Sequence, residues 1–371
     1  MYSEKKLHII SFDNPWPPDY GGVIDVFHRI RVLSEKGVRI VLHTFIYGRP
    51  PAEELNRYCE KVYYYNRRRY FNPFSLTPYI VSTRRHPELL NNLNADTAPV
   101  LFEGLHTCSL LGHHLLRGRT RIVRMHNIEH SYYYYSARNE TNLFRKAWFL
   151  AESFRLKRFE KVLKDATTIL AISENDRREL ATRFPRTEFL GPFQGNQKVL
   201  SKTGTGNYAL YHGKLSVAEN DRAARYLAAK VFSQTNYPFL IAGSNPEKGL
   251  KRLISRQKNT ELIENPSAEE LESLIAEAHI NILPAFQPTG LKLKLVNALH
   301  NGRWLVSNSS MVSGTGYESL CHIAGNADEM IALIDELKGK PFGEMELAER
   351  QRLLITDSSR QKDIDRLLHL I

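Results

Sequence analysis

The chain of 371 residues has little cysteine and no long apolar run. Its three cysteines, Cys59, Cys108 and Cys321, are far apart and odd in number, so they build no disulfide framework and no metal or redox motif. A reducing, cytoplasmic compartment is the expectation. No stretch approaches the roughly 18 uncharged apolar residues of a membrane-spanning helix. The longest apolar runs, such as Ile169–Ile172, suit buried strands instead. The first residues lack the apolar core of a secretory leader and lead into a short strand. With 42% hydrophobic and 25% charged residues, neither a disordered chain nor a collagen-like repeat fits. The length suits two domains or one large one.

Positive charge is present in excess, and unevenly. The net charge is +11. Residues 1–190 hold 30 Lys and Arg against 20 Asp and Glu, whereas residues 191–371 hold 21 against 20. A basic half suits an anionic partner, whether nucleic acid, a phosphorylated ligand or a membrane surface. A merely solubilising surface is the alternative. No nucleic-acid recognition motif accompanies the charge, so nucleic acid is not expected as a partner.

Residues 5–12 read as a first strand. A loop rich in Pro and Gly follows, then apolar positions Val23, Val26, Phe27, Ile30 and Leu33 at helical spacing. Gly37 ends that helix, and residues 38–45 read as the next strand. This is a βαβ unit, which predicts a parallel sheet. The alternation continues through strands at 100–103, 121–126 and 167–172, with a long helix from about residue 143 to residue 164. Ser173 with Asp176 three positions on predicts a helix N-cap. Residues 191–207 read as a linker. A second series of strands is predicted at 208–212, 239–242, 261–263, 280–283 and 304–307, and a last helix at 357–371. Two such α/β halves, each Rossmann-like, are expected to leave a cleft between the carboxyl ends of their sheets.

Six segments in order carry a resemblance. They are Pro17–Gly22, Phe102–His106, Arg124–His130, Ala171–Asp176, Tyr211–Ser216, and the pair Leu240–Pro246 and Leu283–Gly302. Across residues 7–310 the chain resembles nucleotide-sugar glycosyltransferases of the GT-B architecture, most closely the retaining family-four type. The resemblance implies an acceptor domain at 1–192, a donor domain at 193–355, and a C-terminal helix at 356–371 that crosses back to the first domain. It implies no metal and no cofactor, the nucleotide sugar being a substrate.

The same resemblance assigns residues. Gly21 and Gly22 would allow close backbone approach at the first helix; a plain tight turn is the alternative. Lys214, Gly290, Leu291 and Lys294 would hold the diphosphate, whose growing negative charge backbone N–H groups and lysines can stabilise. Lys292 is the alternating neighbour of Lys294. The second basic residue expected after Lys214 is missing, since Glu219 and Asn220 stand there; Arg222 is a substitute. Asn297 would hold the ribose where the family has Glu, and Thr289 stands at the motif's other acidic position. An amide keeps an acceptor but loses the charge, a difference of about one decade in donor binding. His126 would be the cleft residue on the transferred sugar, able to donate or shuttle a proton. Glu103, Arg124, Asn127 and Glu129 would lie on the substrate side. Glu103 either orients the acceptor or pairs with Arg124, and Arg124 is either a substrate contact or a core ion-pair partner.

Tyr132–Tyr135 cannot share one helical face, so they divide between packing, acceptor side and solvent. The basic, aromatic helix near 145–164 suits either an anionic membrane surface or a core-packing role with a solvated basic face. The expectation is a glycosyltransferase, hexosyl and mannosyltransferase-like, moving a sugar from a UDP- or GDP-sugar to a glycan or lipid-linked acceptor. It would be cytoplasmic, with a peripheral seat at the inner membrane face. The alternative is a non-catalytic GT-B-like partner protein with a degenerate donor site.

Overall fold

The computed structural model describes the chain except residues 1–4, 20, 69–71, 73–74, 141, 196–197, 288–292 and 355–356, and except the side chains of 357–360. The described residues divide into two compact units. One comprises Met1–Gly195 with Asp357–Ile371, and the other comprises Asn196–Pro288 with Lys292–Thr356.

The first unit is built on seven strands: β1 (Lys6–Ser11), β2 (Arg39–Ile46), β3 (Lys61–Asn66), β4 (Val100–Glu103), β5 (Arg121–Met125), β6 (Thr168–Ala171) and β7 (Thr187–Phe189). Their order is β3-β2-β1-β4-β5-β6-β7, and every pairing is parallel. Parallel sheets covered on both faces need strands that are apolar throughout. Leu7, Ile9 and Ile10 in β1 and Leu101 and Phe102 in β4 meet that need, and all five are fully buried. One face packs on the Gly21–Glu35 helix through Val23, Val26, Ile30 and Leu33, and the other on Leu105, Leu156 and Leu163. The Asp357–Leu370 helix joins the first of these cores through Ile364 and Leu367. Lys5 Nζ donates to the carbonyls of Leu368 and Ile371 at 2.6 Å each, and Gly191 N donates to Asp363 Oδ2 at 3.1 Å.

The second unit holds β8 (Ala209–His212), β9 (Phe239–Gly243), β10 (Thr260–Glu264), β11 (Ile280–Leu283), β12 (Trp304–Ser307) and β13 (His322–Ile323). Their order is β10-β9-β8-β11-β12-β13, again all parallel. Buried Arg350 closes this unit. It donates to Ser201 Oγ at 3.0 Å and to the carbonyls of Gly302 and Arg303, and lies over the Phe342 ring. The segment expected as a linker is partly fastened: Leu200 N donates to His300 O at 2.6 Å, and Gly204 bridges Phe342.

The expected α/β class with two parallel sheets is what the structure has. Strands β3, β7 and β13 were not anticipated. All three are edge strands, half-covered or very short, and they lack the continuous apolar run of a central strand. In each unit strand order reverses once, between β1 and β4 and between β8 and β11. Such switch points open a crevice at the carboxyl ends of the strands, where ligands bind in α/β folds.

Candidate functional site

At the carboxyl ends of β1, β4 and β5 lies a closed network of charged side chains. Asp25 and Arg29 come from the Gly21–Glu35 helix, Glu103 from the last position of β4, Arg124 from β5, and His126 from the residue after β5. Asp25, Arg29, Glu103 and Arg124 are buried to within 1%. Arg29 donates to Asp25 Oδ2 at 2.7 Å and to Glu103 Oε1. Arg124 donates from Nε to Asp25 Oδ2 at 3.1 Å and from its terminal nitrogens to Asp25 Oδ1 and the carbonyls of Leu190 and Gly191. Phe193 N completes the cage on Asp25 at 2.7 Å. Burial alone would raise the Asp25 pKa; Arg124, Arg29 and His126 together outweigh it and hold the carboxyl far below the usual carboxylate range.

His126 Nε2 donates to Glu103 Oε2 at 2.9 Å. Its Nδ1 is buried without a hydrogen bond among the described residues and lies 3.8 Å from Asp25 Oδ2. The Phe12 ring meets His126 edge-on, with centroids 5.4 Å apart. Phe12 also fills the space opened by glycine: a Cβ at Gly22 would come within 2.6 Å of that ring. The close approach that Gly22 permits is thus made by Phe12. Gly21 begins the helix.

Asp25, Glu103 and His126 bring ligand-type atoms within 4.8 Å of one another, the spacing of a cation site. Two guanidinium groups already balance the two carboxylates. A divalent ion would add its charge beside theirs in a dry interior, which is strongly unfavourable. The arrangement suits orientation of His126 rather than metal binding.

Arg124 is the core ion-pair partner of the two roles expected. Its partner is Asp25 rather than Glu103, and it has no exposed surface to offer a substrate. Glu103 is likewise buried, and its carboxylate is taken by Arg29 and His126. Glu129 is 3% exposed and lies 3.8 Å from His106 Nδ1. Burial, with Glu160 adding to it, pushes the Glu129 carboxyl up to about 8. Burial, with Arg84 next, pulls His106 well below the usual histidine value. Asn127 sits half-buried between His126 and the Glu129–Asn139 helix.

In the second unit the corresponding strand ends are held by Asn220. Its Nδ2 donates to the Lys214 carbonyl at 3.0 Å, and its backbone carbonyl accepts from Tyr211 OH at 3.2 Å. Lys294, in the Leu293–Asn301 helix, donates to Asn220 Oδ1 at 2.9 Å and to Tyr211 OH at 3.2 Å, with Nζ 4.8 Å from the Tyr211 ring centre. His212, at the end of β8, is pulled down to about 3 by burial and by Lys294, and its Nε2 is buried without a partner among the described residues. Lys214 itself is exposed just beyond Gly213. β8 and β9 approach so closely here that a Cβ at Gly243 would overlap the Gly213 carbonyl oxygen.

Asn220 links the Lys294 ammonium to the Lys214 backbone carbonyl. Asn297 lies one turn farther along the helix, where its Oδ1 accepts from Asn301 Nδ2 at 2.6 Å; the acceptor meant for a ribose is engaged within the helix. Arg222 stacks on Phe286, 4.5 Å from the ring centre. Gly290, Leu291, Lys292 and Thr289 lie outside the described residues. Asp25, Arg29, Tyr211 and Asn220 were not singled out from the sequence. For Asp25 and Arg29 a signal existed: an acid and a base four apart, interrupting the apolar face of the first helix.

No family model matches the chain. An uncharacterized 44.6 kDa protein in the cps region of Klebsiella pneumoniae is 27% identical over 334 residues, covering 84% of each chain. Among solved structures, TarM of S. aureus superposes with a TM-score of 0.70 at 10% identity, over 100% of this chain and 99% of that one. HepE of Anabaena, in complex with UDP and glucose, gives 0.66 at 11% over 97% and 98%. A glycosyltransferase of Rickettsia africae gives 0.63 at 12% over 99% and 98%. With its two all-parallel sheets and their central switch points, the chain has the GT-B fold of these glycosyltransferase structures.

Proposed function

We propose that the chain is a glycosyltransferase that moves a hexosyl group from a nucleoside-diphosphate sugar to a hydroxyl of a glycan or lipid-linked glycan. The observation that carries the reading is Lys294, drawn onto the carboxyl end of β8 by Asn220 and Tyr211. A cation fixed at a switch point is suited to a diphosphate whose negative charge grows as the sugar leaves. His212 beside it, with an unpartnered buried Nε2, offers a further polar contact to a ligand. Lys214 adds a second, exposed cation on the neighbouring turn.

UDP is the favoured nucleotide, because HepE is seen with UDP; a GDP-sugar is the alternative donor, and mannose a candidate sugar. The relative in a cps region supports assembly of an extracellular polysaccharide from the cytoplasmic side. In this reading transfer retains anomeric configuration, the leaving phosphate serves as base, and neither metal nor cofactor takes part. Glu103 fixes the His126 ring through Nε2, and His126 lines the sugar position.

Calorimetry with UDP, GDP and their sugar conjugates tests this. Micromolar binding of one diphosphate is expected, weakened about ten- to a hundredfold in Lys294→Ala by loss of a charged hydrogen bond. No binding of any of them at millimolar concentration would overturn the reading in favour of a GT-B-like partner protein without a donor site. The engaged Asn297 acceptor is the feature that outcome would explain.

A further inference from the structure

The Leu143–Phe159 helix carries apolar side chains on two faces, and only one of them is covered: Trp148 and Phe149 pack against Tyr133. Its inward face carries Glu152, Ser153 and Leu156, followed by Glu160 and Leu163 of the next turns, all buried. The two buried carboxylates are satisfied: Glu152 accepts from Tyr79 N at 2.7 Å and from Arg155 at 2.5 Å, and Glu160 accepts from His130 at 2.6 Å and Arg183 at 2.7 Å. The outward face is apolar. Leu143 is 77% exposed, Phe144 89%, Leu150 43% and Phe154 67%. These positions recur at helical spacing, so they form one stripe about three turns long.

The same face changes character toward its C-terminal end. Lys157, Arg158, Lys161 and Lys164 are exposed there, and none makes an ion pair among the described residues. Arg158, Lys161 and Lys164, with Leu76, Phe159 and Val162, line a shallow groove of about 360 Å³. Burying carboxylates while exposing two phenylalanines and two leucines is unfavourable in water alone. It becomes favourable against a surface that is apolar within and anionic at its boundary.

We propose that this face docks on an anionic lipid bilayer. Leu143, Phe144, Leu150 and Phe154 enter the headgroup–acyl boundary, and Lys157, Arg158, Lys161 and Lys164 meet lipid phosphates. Interfacial helices combine these two elements, apolar burial of a few ångströms and attraction of basic side chains to anionic lipid. A second copy docked through the same face satisfies only the apolar end, because that face brings four more cations. The inference stands independently of the donor reading; it places the first unit at the membrane, where a lipid-linked acceptor would be met.

Vesicle co-sedimentation tests it, with phosphatidylcholine alone and with about one-third phosphatidylglycerol. The protein is expected to bind the mixed vesicles and to bind pure phosphatidylcholine at least tenfold more weakly. Phe144→Ser with Phe154→Ser should weaken mixed-vesicle binding at least tenfold. Arg158→Gln with Lys161→Gln and Lys164→Gln should weaken it about a hundredfold. All five side chains are exposed or edge the groove, and circular dichroism would check that the fold is kept. Equal binding to both vesicle types, or to neither, overturns the proposal. So does binding that inorganic phosphate abolishes while the phenylalanine pair is immaterial, which would mark a phosphate pocket. So does a dimer that Phe144→Ser with Phe154→Ser splits, which would mark a contact between copies. UDP and GDP binding, measured on the same samples, is expected to be unchanged by these variants.

Discussion

Glu129 makes folding stability depend on pH in a direction that can be worked out. Its carboxyl is buried at the start of the Glu129–Asn139 helix, with neutral His106 at 3.8 Å and the buried Glu160 carboxylate nearby. Burial first, then Glu160, raises its pKa from 4.5 to about 8. Below pH 4.5 both folded and unfolded chains hold the proton, and the full stability is present. Between 4.5 and 8 the unfolded chain releases the proton while the folded one keeps it, so stability falls as pH rises. The gap of about 3.5 units, at about 1.4 kcal/mol per unit, corresponds to a loss of about 5 kcal/mol across that window. Above pH 8 this contribution is flat. Glu129→Gln keeps the shape and removes the titration. Urea unfolding at a series of pH values should therefore show the variant gaining on the wild type by about 3 to 5 kcal/mol between pH 4.5 and 8. Parallel curves for the two proteins over that range would refute the reasoning, because they would mean that Glu129 is solvated or already ionised in the folded state.

Asp25→Asn leaves Arg29 and Arg124 facing an amide in a dry interior and should cost about 3 to 5 kcal/mol in denaturant unfolding; a loss under about 1 kcal/mol would contradict the closed network. Its ion pairs persist to low pH, since the Asp25 carboxyl is held far below the usual range and its stabilisation is lost only as pH falls through that depressed value. Gly243→Ala sets a methyl group against the Gly213 carbonyl and should lower stability by about 3 kcal/mol, with weaker nucleotide binding because Lys214 follows directly. Circular dichroism melts of that variant would check the first part and calorimetry the second.

The architecture was readable because central parallel strands write themselves as short apolar runs. Ile169–Ile172 and residues 280–283 were found on that basis, and the fold class followed. The edge strands β3, β7 and β13 carry no such mark: β3 is Lys61–Asn66, Val62 and three tyrosines between polar ends, half-exposed on the sheet's rim. The charged network was less readable for another reason. A motif assigns a role to a residue, but burial decides whether that residue can meet a ligand. Arg124 and Glu103 carry polar groups in a motif and spend them on Asp25, Arg29 and His126, and Glu129 is buried. Their partners come from distant segments, so no spacing along the chain could pair them.

The Leu143–Phe159 helix shows the limit of periodicity most directly. Periodicity locates a stripe of apolar side chains but does not say which way the stripe faces. The usual assumption is inward, because burial of apolar area is the dominant gain. Here a second apolar set, Trp148, Phe149 and Leu156, goes in, and the acids among it, Glu152 and Glu160, each find strong donors there: a backbone N–H and an arginine for one, a histidine and an arginine for the other. Charge-assisted hydrogen bonds of that kind can offset the desolvation of a carboxylate when its lone pairs are filled. The exposed leucines and phenylalanines are then a standing cost in water. A helix retains that cost only where its outer face meets something other than water, so the buried acids and the bare apolar stripe are two sides of one arrangement. The four exposed cations that continue the stripe, unpaired among the described residues, suit an anionic surface beyond it.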